Sequence, residues 1–435
     1  MSSRKLILSF IAVSVLLSLC SVVVVEASST GWSRTYGGTY RDEARSLVET
    51  SDGGYAIAGH TRSFGAGVDD FWLVKTDGSG SMEWNRTYGG TLFDYAYSLV
   101  ATSDGGYALA GSTFSFGAGS FDFWLVKTDE FGYVEWNRTY GGTGDDYAYS
   151  LVATSDGGYA LAGYTDSFGT GNYDFWLIKT DALGNIEWNQ TYGETGLTSP
   201  FTCSLVAASD GGYAIFGTIL SFSAKSTDYR LIKTDEYGNM EWNKTYGDGN
   251  VYEPYSLVET SDGGYAIAGS ISPLGEEDDF WLVKIDSFGN VEWDRLYGGT
   301  ATDRAHSLVA TSDGGYAIAG SWDCEEWYNL DTGEEVSHGT FWLIKTDALG
   351  NMEWNQTYGE PEHIWARSLV ATSDGGYAIA GSRRSFSTGG YDFWLVKTDE
   401  YGIVPEYSSW LLPSLLLTAT LVIVIYKKKF FDDQP

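Results

Sequence analysis

The chain has 435 residues, and 26 Lys plus Arg against 58 Asp plus Glu give a formal net charge of −32. That acidity argues against nucleic-acid binding, which needs a basic surface to displace counterions from phosphates. With 55 Gly, 17 Trp, 31 Tyr and 21 Phe but three Cys, the composition excludes a disordered chain and a disulfide scaffold, and it favours an all-β fold rich in turns.

Residues 1–29 read as a secretory signal. Arg4 and Lys5 precede an apolar run over 6–25, and Val25-Glu26-Ala27 stands before Ser28 as a cleavage site. The run is long for a signal, so an uncleaved anchor is the alternative; Cys20 belongs to the run. From residue 30 to 404 one unit repeats. Ser-Asp-Gly-Gly-Tyr begins at Ser51, Ser103, Ser155, Ser209, Ser261, Ser312 and Ser373, at spacings of 52, 52, 54, 52, 51 and 61 residues. Each unit predicts four strands, in the second unit 98–102, 107–111, 122–129 and 134–140. Asp-Gly-Gly and Asp-x-x-Gly supply the positive-φ glycines of two hairpins.

Seven units of four short strands predict a β-propeller, with a straight solenoid as the rival. The ends decide between them. The seventh unit lacks a fourth strand, and Gly31-Trp32-Ser33-Arg34-Thr35-Tyr36 supplies one at the other end. An N-terminal strand that completes the last blade closes a ring and removes both sheet edges. Past a juxtamembrane linker (405–409), residues 410–426 are uncharged and Lys427, Lys428 and Lys429 follow. As a helix this segment is about 25 Å long, enough to span a membrane, and the lysines mark residues 427–435 as a cytoplasmic tail. The expectation is an all-β, seven-bladed propeller held outside the cell by one C-terminal transmembrane helix.

The hairpin into strand four, Asp129-x-x-Gly132-x-x-x-Trp136, resembles the tryptophan-docking motif of quinoprotein-type propellers, with one residue fewer between Asp and Gly. The copies together look like the Ser-Asp-Gly-Gly-Tyr-Ala-Leu-Ala-Gly propellers of secreted bacterial and archaeal surface proteins. The segment from Pro405 to the lysines is similar to archaeal surface-protein tails. These resemblances imply a fold and a cell-surface location, without an activity.

Residues present in every unit read as scaffold. The Trp pairs (Trp72 and Trp84, Trp124 and Trp136) are expected between blades, and Asp52, Asp104 and Asp156 in hairpins, although Thr102-x-Asp104-x-Gly106 also resembles the Asp-box turn of sialidases. A sialidase needs clustered arginines; Arg41, Arg62, Arg304, Arg367, Arg383 and Arg384 are candidates scattered along the chain. No Cys/His metal spacing, phosphate-binding loop or nucleophile motif occurs. Asn-x-Thr sequons at Asn85, Asn137, Asn189, Asn243 and Asn355 are either glycan acceptors or repeat consensus. Asp42, Asp94, Asp146 and Asp303 precede strand one in four units. If they ring the channel mouth they suit Ca²⁺; otherwise they are turn residues accepting backbone N–H groups.

Function is therefore sought where units depart from the repeat, on the face carrying the second-to-third loops and the connections between units. The largest departure is nine extra residues between Gly320 and Phe341. That insertion holds Trp322, Glu325, Glu326, Trp327, Tyr328 and His338, with His363 and Trp365 expected nearby. Aromatics beside carboxylates suit a glycan or a protein partner, and a loop folded over its own scaffold is the plainer reading. The sequence thus reads as a binding or adhesion module. A lyase or glycosidase and a structural surface component are the alternatives.

Overall fold

The computed structural model describes residues 31–404 except 171–172, 194–202, 222–225, 248–250, 273–276, 330–333, 363 and 385–389. The expected signal segment, juxtamembrane linker, membrane helix and tail lie outside the described residues. Among those described, no helix is long and apolar enough to cross a membrane.

The chain forms a seven-bladed β-propeller. In the first blade β2 (Asp42–Glu49), β3 (Tyr55–Thr61), β4 (Asp70–Thr76) and β5 (Met82–Tyr88) pair in sequence order as an antiparallel sheet. β3 and β4 are buried along their whole length, because neighbouring blades cover both faces, and they are correspondingly apolar without alternation. The outermost β5 is exposed or half-buried except at Tyr88. Gly53 (φ 78°) and Gly80 (φ 77°) turn the two hairpins on one face of the ring. At the equivalent Gly132 a Cβ would meet the Trp84 ring of the preceding blade at 2.6 Å, so glycine is required there by space as well as by φ.

The ring closes as the sequence predicts. β1 (Trp32–Tyr36) pairs antiparallel with residues 391–398 as the outer strand of the last blade, from Trp32↔Lys397 to Tyr36↔Phe393. Two belts of hydrogen bonds run through all seven junctions. In the inner belt a Leu N–H donates to the Ser Oγ of the preceding blade, as Leu99 to Ser46 and, across the closure, Leu47 to Ser368, at 3.0–3.3 Å. In the outer belt a Tyr hydroxyl donates to a hairpin carbonyl of the next blade, from Tyr36 to Gly80 O through Tyr358 to Gly402 O, at 2.6–2.8 Å. Between the belts, third-strand Trp rings pack on the preceding blade's Phe, with Trp124 4.6 Å from Phe71 and Trp72 4.5 Å from Phe393. The recurrent tryptophans are scaffold.

So are the recurrent aspartates. Asp52 accepts the Gly54 N–H at 3.0 Å and the Lys75 ammonium at 2.8 Å, while Glu83 holds the same ammonium from the other side at 2.8 Å. Lys75 is 4% exposed, and Lys127, Lys179, Lys233, Lys284 and Lys345 repeat the arrangement. The triad keeps a buried ammonium paired, the condition for tolerating it.

The nine-residue insertion departs from expectation. It does not fold back as a loop. It lengthens the central hairpin of the sixth blade, whose strands Tyr316–Asn329 and Glu334–Thr346 stay paired out to Asn329↔Glu334. Its Trp, Tyr and Val residues favour extended pairing.

Two outcomes follow. Deleting residues 31–36 opens the last blade and removes the buried Tyr36, and should cost about 3–5 kcal/mol; equal melting temperatures for the truncated and full chains would exclude this closure. The second concerns acid. Burial alone raises the Asp104 carboxyl, but Lys127, Thr102 and the Gly106 amide outweigh it and hold the group down to about 2. Because the folded value lies below the unfolded one, this group's stabilisation is full above about pH 4 and disappears as pH falls toward 2. In denaturant titrations across that window, Asp104→Asn should lose less stability than the wild type.

Candidate functional site

Six of the seven innermost strands carry one residue that the ladder skips. Pairing in the first blade passes from Ala44↔Gly59 to Ser46↔Ala58, leaving Arg45 as a β-bulge. The same shift leaves Tyr97, Tyr149, Tyr255, His306 and Arg367 unpaired in their blades. In the fourth blade Cys203 holds the equivalent sequence position, before the serine, but is paired with Gly217 at the start of its strand. A bulge re-aims its side chain, and here the re-aimed groups meet around the axis. Arg45 lies over Tyr97 at 5.8 Å, the Tyr97 and Tyr149 rings are 4.9 Å apart, Tyr255 meets His306 edge-on at 4.5 Å, and Arg367 Nη1 stands 3.3 Å from His306 Nδ1. The following residue, serine in every blade, joins the inner belt, so one bulge serves both the junction and the channel.

Two residues before the bulge lies a second tier: Glu43, Tyr95, Tyr147, Glu253, Arg304 and Trp365. Blades two and three make an aromatic wall, with Tyr95 stacked on Phe121 at 6.0 Å and Phe121 beside Tyr147 at 5.1 Å. Blades five, six, seven and one make a charged wall. Glu43, 3% exposed, receives Arg41 and, at 2.8 Å, Arg45, with His60 Nε2 at 3.6 Å. Arg62 grips Asp69 through two nitrogens, at 2.9 and 3.0 Å. Tyr255 donates to Glu253 at 2.8 Å and Arg304 pairs with Asp278 at 3.1 Å. Beside the ring a cavity of about 190 Å³ opens between Arg41, Arg45, His60, Arg62, Tyr95 and Tyr97.

Burial opposes charge throughout this mouth. It raises the Glu43 carboxyl, yet Arg45, His60, Arg41 and Arg367 together hold that group at about 2. Burial lowers His60 to about 3 against the pull of Glu43, and it lowers His306 well below the usual histidine range, with Arg367 and Arg304 adding to the effect. Both imidazoles are neutral at physiological pH. The Cys203 thiol is free and pushed up by burial, hence inert.

The structure gathers Arg41, Arg62, Arg304 and Arg367, which the sequence leaves scattered; Arg383 lies instead over Trp394. Of the insertion residues, Trp322 is 38% exposed and 6.2 Å from Trp342. Backbone pairing sets Glu325 opposite His338, Glu326 opposite Ser337, Trp327 opposite Val336 and Tyr328 opposite Glu335. Trp365 lies beside Tyr391 at 5.0 Å, and His363 lies outside the described residues. Asp42, Asp94, Asp146 and Asp303 are buried, each turned into its own blade. Asp42 accepts Gly38 N–H and Ser63 Oγ, both at 2.8 Å, and the Thr61 hydroxyl; Asp94 and Asp146 accept Gly90 and Gly142, and Asp303 accepts Gly299 at 3.1 Å. Among the described residues no three His, Cys, Asp or Glu side chains converge as a metal group. The sequon residues Asn85, Asn137, Asn189, Asn243 and Asn355 are exposed on outermost strands. In four of them Oδ1 accepts an indole N–H, as Asn85 from Trp72 at 3.2 Å, which gives the repeat its own use for asparagine.

The bulge ring escaped the sequence reading. Its signal is the one variable position in an otherwise constant run: Ala-x-Ser-Leu-Val with x as Arg45, Tyr97, Tyr149, His306 and Arg367.

No family model matches the chain. It is 26% identical over 196 residues to the regulatory protein FlaEY of Caulobacter vibrioides, a match covering 44% of this chain and 19% of that relative, so the matched part spans about a fifth of that protein's length. Among solved structures it is similar to a protein of unknown function from Dyadobacter fermentans (TM-score 0.44, 11% identity, covering 84% of this chain and 99% of that one). It is also similar to the Neurospora crassa Pan2 WD40 domain (TM-score 0.49, 10% identity, 85% and 92% covered) and to Drosophila Plexin A in complex with Semaphorin 1b (TM-score 0.42, 10% identity, 83% and 88% covered). These likenesses concern the propeller fold.

Glu43 holds the charged wall together. Glu43→Gln leaves Arg41 and Arg45 without their shared carboxylate, with Arg367 nearby, and should destabilise the protein by about 3 kcal/mol. Chemical denaturation measures it, and a change under half that size would show that the arginines do not depend on Glu43.

Proposed function

We propose that this chain is a membrane-tethered, extracellular propeller that binds a glycan at the mouth of its central channel. The carrying observation is the contrast within one strand. Ser, Leu and Val recur in every blade, while the residue just before them is Arg, Tyr, Tyr, Cys, Tyr, His and Arg in turn. Scaffold demands uniformity from every blade; a site facing one ligand demands a different group from each. Phenols on one wall stack on and hydrogen-bond to sugar rings, and guanidinium groups on the other donate to hydroxyls. The secretory start and the apolar, lysine-terminated tail support display outside the cell.

A second reading has its own observation. The lengthened hairpin of the sixth blade carries the exposed Trp322, and a projecting hairpin with aromatics suits a protein partner.

Glycan arrays probed with the full chain test the first reading. Tyr149→Ala should weaken any array hit by about tenfold or more, the scale of one lost stacking and hydrogen-bonding group, without abolishing folding as judged by melting. Removal of residues 325–338 should leave that hit unchanged. The opposite pattern would move the site to the hairpin, and turnover of chromogenic glycosides would replace binding by catalysis.

A further inference from the structure

We infer that the ligand of the channel mouth carries a carboxylate received by Arg367, so that it is an acidic saccharide rather than a neutral one. The inference rests on the channel-mouth reading and adds the ligand's charge to it. Arg367 lines the channel with partial solvent access. Its neighbours are Arg45, Arg304, His306, Tyr255 and Glu43. Every other arginine of this mouth has a carboxylate: Arg41 and Arg45 share Glu43, Arg62 holds Asp69, and Arg304 holds Asp278. Glu43 has both oxygens engaged by Arg41 and Arg45. Arg367 forms no ion pair among the described residues. Of its five N–H donors, one meets His306 Nδ1 at 3.3 Å, which accepts because a guanidinium can only donate.

Beside it, Arg45 Nε is buried without a hydrogen-bond partner, and so is His60 Nδ1. Two guanidinium groups thus keep unused donors within one narrow space. Burial, with the repulsion of Arg45 next, lowers even the Arg367 guanidinium to about 10. An anion entering there relieves the repulsion and fills the empty donors. A planar carboxylate matches the guanidinium fork through two parallel hydrogen bonds. The facing phenols of Tyr97, Tyr149 and Tyr255 suit the ring and hydroxyls of a sugar bearing that carboxylate. The protein is acidic overall, at −32, so an unpaired arginine recessed among other arginines is not explained as part of a solvated basic surface.

Titration calorimetry on the full chain tests this with a galacturonic acid trimer, the matched neutral galactose trimer and inorganic phosphate. The charged trimer should bind about tenfold or more tightly than the neutral one, the scale of one charge-assisted bidentate contact. Arg367→Gln should erase that preference with a melting temperature near wild type, and Arg367→Lys should restore part of it. Equal affinity for the two trimers in the wild type would overturn the inference and leave the channel-mouth reading standing. A preference that survives in Arg367→Gln would overturn it too, as would phosphate binding as tightly as the charged trimer. If neither trimer binds, the inference falls; if another array ligand still depends on Tyr149, the channel-mouth reading survives without it.

Discussion

Ring closure is the constraint on which the rest of this structure depends. Seven sheets meet edge to edge only if each presents its neighbour with the same surface, and the two hydrogen-bond belts show what that sameness consists of. A serine hydroxyl near the axis and a tyrosine hydroxyl near the rim recur at all seven junctions, including the one closed by β1. Between them a tryptophan of one blade lies on an aromatic ring of the preceding blade in six of seven positions; the fourth blade has Arg230 in the tryptophan's place, and there the next Trp281 packs on Tyr229 instead. Third strands are apolar on both sides because a neighbour stands on both sides.

Uniformity at the junctions concentrates variation elsewhere. In six blades a bulge in the innermost strand inserts one residue without disturbing the ladder, so its serine reaches the next blade while the residue before it is re-aimed. That residue turns toward the channel, with Cys203 and Tyr149 also packing on the core between the third and fourth blades. A change from Tyr97 to Arg367 at equivalent places alters the mouth and leaves the scaffold intact, which is how seven near-identical units build an asymmetric site, aromatic on one wall and charged on the other.

The two faces handle charge differently. On the hairpin face six buried lysines lie between two more exposed carboxylates, and Lys397 pairs with Asp374, a pattern repeated until it becomes architecture. At the channel mouth the signs reverse: a buried carboxylate, Glu43, lies between arginines, once among the described residues. The repeated arrangement stabilises the blades; the single one gives the mouth its electrostatic character.

The number of blades, the hairpin glycines, the closing N-terminal strand and the burial of the third strand were legible in the sequence, because each follows from periodicity, backbone stereochemistry and hydrophobic pattern, which act locally and repeat seven times. The gathering of Arg41, Arg45, Arg62, Arg304 and Arg367 was not, since these residues are up to 326 positions apart in the chain and meet only after the ring closes. Nor was the insertion legible as a hairpin, because its strand pairing continues one already set by the blade. Sequence alone determined the scaffold, whose interactions are the same in every unit; tertiary structure decided the site, because a site at the axis belongs to no single unit and exists only when all seven are in place.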